Sequence, residues 1–174
     1  MKALNKIFGV LAIVFSAAAL ILFFTDFGKV IFADGTTATF AGTEFAFGSG
    51  EGRVATAISS DLLFCIILTA FTILFSALSM KFNKTKWAAV GFSAVDAIYM
   101  LVIACSGSNY FLDARGFVNA VGTEYVNNTA LFIAIALFLC LGFSVAYLLV
   151  SDKIAAMESG KLTIPQRLVK FLRD

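Results

Sequence analysis

The sequence predicts an all-α membrane protein: a four-transmembrane-helix, up-down-up-down bundle with a small β-hairpin or meander cap in its first extracellular loop. Composition is the first reason. Of 174 residues, 60% are hydrophobic and 14% charged, and the mean hydropathy is +0.95. Soluble domains are about 45–50% apolar and about 25% charged. The second reason is length. Stretches 7–25, 58–80, 87–105 and 129–150 each reach the roughly 17–25 apolar residues that cross a bilayer. The third is charge asymmetry. Lys2 and Lys6 precede the first stretch, and Lys81, Lys84 and Lys86 separate the second from the third. Lys153, Lys161, Arg167, Lys170 and Arg173 follow the fourth. All of these fall on one side of an alternating bundle, and only Lys29, Arg53 and Arg115 fall on the other. Positive charge stays inside, so both termini and the 81–86 turn are expected in the cytoplasm, beneath the plasma (inner) membrane. Loops 26–57 and 106–128 then face outward. Residues 1–150 form the transmembrane domain and 151–174 a cytoplasmic tail.

The first stretch has the basic start and the small residues Ser16-Ala17-Ala18-Ala19 of a secretory signal. Leu20-Ile21-Leu22-Phe23-Phe24 then prolongs the apolar run where a cleaved signal turns polar. An uncleaved helix is expected, with alanines that let neighbouring backbones approach. In the first outer loop, Val30 and Phe32, Thr37 and Thr39, and Phe45 and Phe47 recur with period two, punctuated by Gly35, Gly42 and Gly48. That is a strand pattern. A lone hairpin is marginal in water, so this one is expected to rest on the helix ends or to pair with the second outer loop. The Gly48-Ser49-Gly50-Glu51-Gly52 run lacks the Lys-Ser/Thr of a phosphate loop and reads as a flexible link.

The second stretch opens on Ser59-Ser60-Asp61, an N-cap cluster with an acid at the positive end of the helix dipole. Asp61 is a candidate cap or cation-entry residue. Further along, Cys65, Thr69, Thr72, Ser76 and Ser79 continue from Asp61 at spacings of three and four. They form one small, polar stripe, which in lipid faces other helices.

The third stretch carries the one sharp feature of the chain, Asp96 near the middle of an apolar run. An ionised carboxylate at that depth costs roughly 2.5–3.5 kcal/mol on insertion scales. Asp96 must therefore be protonated, paired, or turned toward helices or water. The short 81–86 turn makes the second and third stretches antiparallel neighbours. Nine residues from Trp87 to Asp96 span about 13 Å at a rise of 1.5 Å. Equal depth on the other stretches reaches Thr72, Ser16, and Gly142 or Ser144, while Ser93 and Tyr99 flank Asp96 at i−3 and i+3. The predicted intramembrane polar cluster is Asp96, Ser93, Tyr99, Thr72 and Ser16. It serves either to fix helix register or to bind a proton or cation.

The second outer loop holds Asp113, Arg115 and Glu124 with Tyr110, Phe111, Phe117 and Tyr125, aromatics suited either to an interfacial belt or to packing under the first loop. In the tail, Pro165 can open a helix that places Ile164, Leu168, Phe171 and Leu172 opposite Arg167, Lys170 and Arg173. Such a basic amphipathic segment suits the anionic inner leaflet, with docking of the helix to a partner as the competing reading.

Cys65, Cys105 and Cys140 form no C-x-x-C pair, and the chain has no histidine. A Cys/His zinc site and membrane thiol oxidation are not expected. There is no nucleophile–base pair and no cofactor signature, so neither an enzyme nor a bound cofactor is expected. The basic residues are too few and too close to the membrane for nucleic-acid binding.

Four helices, inside termini, a strand-bearing first outer loop, a shorter second one and a tight inner hairpin resemble the claudin-type tetraspan plan. The resemblance covers architecture only, because that family's Trp-Gly-Leu-Trp motif and paired outer cysteines are absent. The expected function is an interaction or accessory role in the lipid bilayer, through the extracellular loops, with a membrane-protein partner or a second copy. The alternative is a small transporter or channel subunit centred on Asp96.

Overall fold

The computed structural model describes residues 2–32, 34–48, 59–106, 124–127 and 129–159. Four helices are long and apolar enough to cross a membrane: α1 (Lys2–Leu22), α3 (Ser60–Ser79), α4 (Thr85–Cys105) and α5 (Ala130–Glu158). Between α1 and α3 lie β1 (Asp26–Ile31), β2 (Thr37–Ala41) and the short α2 (Gly42–Phe47), and β3 (Glu124–Asn127) precedes α5. The long helices bury small and polar residues such as Ala12, Ser16, Thr72, Ser76, Ser93, Ala97, Ala134 and Ser144, while Val14, Ile21, Ile98, Val102, Phe132 and Leu149 stay exposed. In water that arrangement would leave apolar patches on every side. In hydrocarbon it is the stable one, because helices satisfy their own backbone polar groups.

The helices pack as a ring, α1 against α3 and α5, and α4 against α3 and α5. Along α1 and α5, Lys2 pairs with Glu158 at 2.7 Å, and Asn5 Nδ2 donates to Ser151 Oγ at 3.1 Å. Farther along, Phe15 stacks on Phe143 with centroids 5.5 Å apart. Along α3 and α4, Phe75 stacks on Phe92 at 4.8 Å, and Tyr99 OH donates to Asp61 Oδ1 at 3.0 Å.

The strands form one antiparallel sheet in the order β2-β1-β3. Ile31 opposes Thr37 across the β1–β2 turn, where Gly35 adopts φ 79° and Asp34 Oδ1 accepts from the Thr36 amide at 3.0 Å. On its other edge β1 pairs with β3, Gly28 opposing Asn127. The first-loop strands thus pair with the second loop. The sheet rests on the helix ends through a single apolar cluster that includes Phe23, Phe27, Phe40, Phe45, Leu62, Met100, Ile133 and Leu137.

Three boundaries differ from the sequence reading. The first helix covers residues 2–22 instead of 7–25. The last runs eight residues past Val150, so the tail drawn from residue 151 begins as helix. Phe45 and Phe47, read as strand, lie on α2. There the Ala41 amide donates to Glu44 Oε2 at 2.6 Å and the Thr43 amide donates to Phe23 O at 3.0 Å, which fixes a helical turn against the end of α1. The basic segment with Arg167, Lys170 and Arg173, the 49–52 link, and Tyr110, Phe111, Asp113, Arg115 and Phe117 lie outside the described residues.

Gly42 is where this junction is tightest. A Cβ there would sit 2.9 Å from Phe23 O and 3.0 Å from Phe23 Cδ1. Gly42→Ala is expected to cost about 1–3 kcal/mol through overpacking. Thermal unfolding in detergent checks this, with Gly91→Ala, whose new Cβ meets no atom within 4 Å, as the near-neutral comparison.

Candidate functional site

The site is built on the inward faces of all four long helices. α4 contributes Asp96, which has no exposed surface. α3 supplies its hydroxyl partners one turn apart: Thr69 Oγ1 lies 3.2 Å from Asp96 Oδ1, and Thr72 Oγ1 lies 3.3 Å from Oδ2. The spacing of three puts both threonines on the face that α3 turns toward α4.

Hydrogen counting defines the carboxyl further. Thr69 has a single hydroxyl proton, and Thr69 Oγ1 lies 2.9 Å from the Cys65 carbonyl, the shorter of its two contacts. If that proton goes to Cys65, the contact with Asp96 Oδ1 is satisfied only when the carboxyl is protonated and donates. Thr72 then donates to Oδ2. A neutral acid completes the set without leaving a charge in hydrocarbon.

The remaining residues of the predicted cluster take other partners. Ser93 is buried and donates to Val90 O at 3.0 Å, and Ser16 donates to Ala12 O at 2.9 Å and Ile13 O at 3.0 Å, each within its own helix. Tyr99 reaches Asp61, not Asp96. Ser59 is the N-cap of α3, its Oγ accepting from the Leu62 amide at 3.3 Å, so Asp61 sits in the first turn and holds Tyr99. Ser16, Ser76 and Ser144 stand beside the Cys140 thiol, which is also within electrostatic range of Asp96.

A second polar cluster closes the end of the bundle away from the sheet. Lys86 is 8% exposed. Its ammonium bonds Asn83 Oδ1 and Ser151 Oγ and lies 5.2 Å from the centre of the Tyr147 ring. Tyr147 OH donates to Ser79 O at 3.0 Å. One lysine thus ties the α3–α4 turn to α5, and through Ser151 to Asn5 of α1. Sequence reasoning missed this cluster because Lys86 was read as a loop charge. The available signal was the run Cys140, Ser144, Tyr147, Ser151, which repeats every three to four residues along α5.

Outside the ring, Phe64, Leu68, Ala88, Gly91, Phe92 and Val95 line an open apolar groove of about 430 Å³. Among the described residues, no three His, Cys, Asp or Glu side chains are placed to hold a metal ion.

Fold and site together define a multi-pass helical membrane protein with a carboxyl group enclosed between its helices. The chain matches no protein-family model, no curated protein and no solved structure.

Proposed function

We propose that this chain is a tetraspan interaction or accessory protein of the plasma (inner) membrane, working through its outer face and not as an enzyme. In this reading the helices alternate up and down. The termini and the 81–86 turn are cytoplasmic, and the sheet is the extracellular cap. The contacts of Lys2 with Glu158 and of Asp61 with Tyr99 support the alternation, and the charge asymmetry supports the orientation. The Arg167, Lys170 and Arg173 segment is assigned to the inner leaflet on its sequence pattern.

The observation that carries the functional reading is the β1–β3 pairing. It joins the two outer loops, far apart in the chain, into one surface held on an aromatic base. A single joined surface suits recognition of a membrane-protein partner or a second copy of this chain. The test is purification in mild detergent with crosslinking. A stoichiometric partner, or a dimer, is expected from the intact protein and is lost when charged residues replace exposed β2 positions Thr37 and Thr39. A monomer with no partner under all conditions defeats the reading.

The burial of Asp96 between two threonines favours the transport alternative. Proton- or cation-coupled flux in proteoliposomes that is abolished by Asp96→Asn would establish it in place of the accessory role.

A further inference from the structure

Among the described residues, the buried polar side chains of the four long helices lie mainly on one side of Asp96. Toward the sheet, the buried residues are Cys65, Leu62, Ala97, Met100, Ile103, Ile133, Ala134 and Leu137, backed by Phe23, Phe27 and Phe45. Toward Lys86 the buried residues include Thr72, Ser76 and Ser79 on α3, Ser93 on α4, Ser16 on α1, and Ser144, Tyr147 and Ser151 on α5. Ten residues of α4 separate Asp96 from Lys86, about 15 Å of helix.

Three side-chain atoms in this half are buried without a hydrogen-bond partner: Ser76 Oγ, Ser144 Oγ and Asn5 Oδ1. Ser16, Thr69, Ser79 and Ser93 return their hydroxyls to carbonyls of their own helices. Ser76 and Ser144 do not, and both stand next to the Cys140 thiol, a weak acceptor. A buried polar atom left unpaired costs about 1–3 kcal/mol. Each of the three marks a place for water, which bridges such groups in protein interiors.

We propose that Ser76, Ser144 and Asn5 hold internal waters along a seam that opens at the Lys86 end of the bundle and runs no farther than Asp96. Asp96 is then the blind end of a one-sided proton path. Its carboxyl O–H proton passes to a seam water, and a proton from the same water chain replaces it, so no net charge moves. The apolar half bars continuation toward the sheet. The titratable groups along this path are Lys86 on α4 and Cys140 and Tyr147 on α5, with Asp152 of α5 close to Lys86 at its end; Cys65 and Asp61 of α3 lie on the sheet side of Asp96. The α1 segment 7–22 contributes none. This inference does not depend on the accessory role.

The test is infrared spectroscopy of the full-length protein in lipid, transferred from H2O to D2O. A protonated carboxyl band is expected in the wild type, absent in Asp96→Asn and shifted by deuterium. The shift is expected to be lost in Ser76→Val and Ser144→Val over the time in which the wild type completes it. It is expected to be retained in Met100→Leu and Leu137→Val, on the apolar side. If the valine variants do not fold, the Ser76→Ala/Ser144→Ala double variant takes their place, with slower exchange expected. Unchanged exchange in the seam variants, equal loss on both sides of Asp96, or no Asp96 band in the wild type would each overturn the proposal.

Discussion

Asp96→Asn is expected to leave the bundle nearly as stable as the wild type, whereas Asp96→Ala costs about 2–4 kcal/mol. The difference follows from the two threonines. A neutral aspartic acid donates through one oxygen and accepts through the other, and an asparagine amide does the same with nearly the same shape. Nδ2 replaces the donor facing Thr69, and Oδ1 the acceptor facing Thr72. Alanine removes both, strands the Thr72 hydroxyl and opens a void between α3 and α4 where no surface is exposed. Lost hydrogen bonds and incomplete collapse of the void contribute together. Unfolding by a denaturing detergent, followed by circular dichroism, measures the three proteins side by side. A large loss for Asp96→Asn, matching that for alanine, would mean that the carboxyl is ionised and its charge is what the site needs.

Truncating Phe45 to alanine should be more damaging still, about 3–5 kcal/mol. The ring has no exposed surface and lies 5.9 Å from the Phe27 ring and 5.5 Å from Phe40. It therefore joins α2 to two strands of the sheet at once. Its carbonyl also accepts from the Ser59 amide at 3.0 Å, which anchors the start of α3. Phe47 is the control. It is 58% exposed, because two residues on a helix turn through about 200°, so Phe47→Ala should change stability little. Equal losses at the two positions would mean that both rings share one buried face, as they would on a strand.

The same pair shows where sequence pattern reached its limit. Period two in a six-residue segment does not distinguish a strand from a single helical turn. The choice was made by Glu44 reaching the Ala41 amide and by Phe23 O receiving Thr43, contacts that depend on how the chain folds back. The four long helices were legible because insertion in lipid depends on composition over some twenty residues. Their ends were less so: Ser151–Glu158 is polar helix continuing beyond the apolar run, and hydropathy does not register it. Asp96 stood out because a carboxyl at that depth is costly. Counting equal depths from the 81–86 turn led to Thr72, but Thr69, one turn away, needed the actual crossing of α3 and α4. Lys86 was obscured by its neighbours Lys81 and Lys84. Only the position of Ser151 and Asn83 turns it inward.

The central position of β1 sets an order on assembly. One of its edges finds β2 within a few residues. The other waits for β3, and the neighbouring bond from the Thr129 hydroxyl to Asp26 O spans 103 residues of chain. During synthesis that second edge stays open until two further helices have been made, since long-range pairing closes late. Exposed strand edges invite pairing with other chains. The half-built protein therefore displays an edge of β1 that β3 covers in the finished sheet.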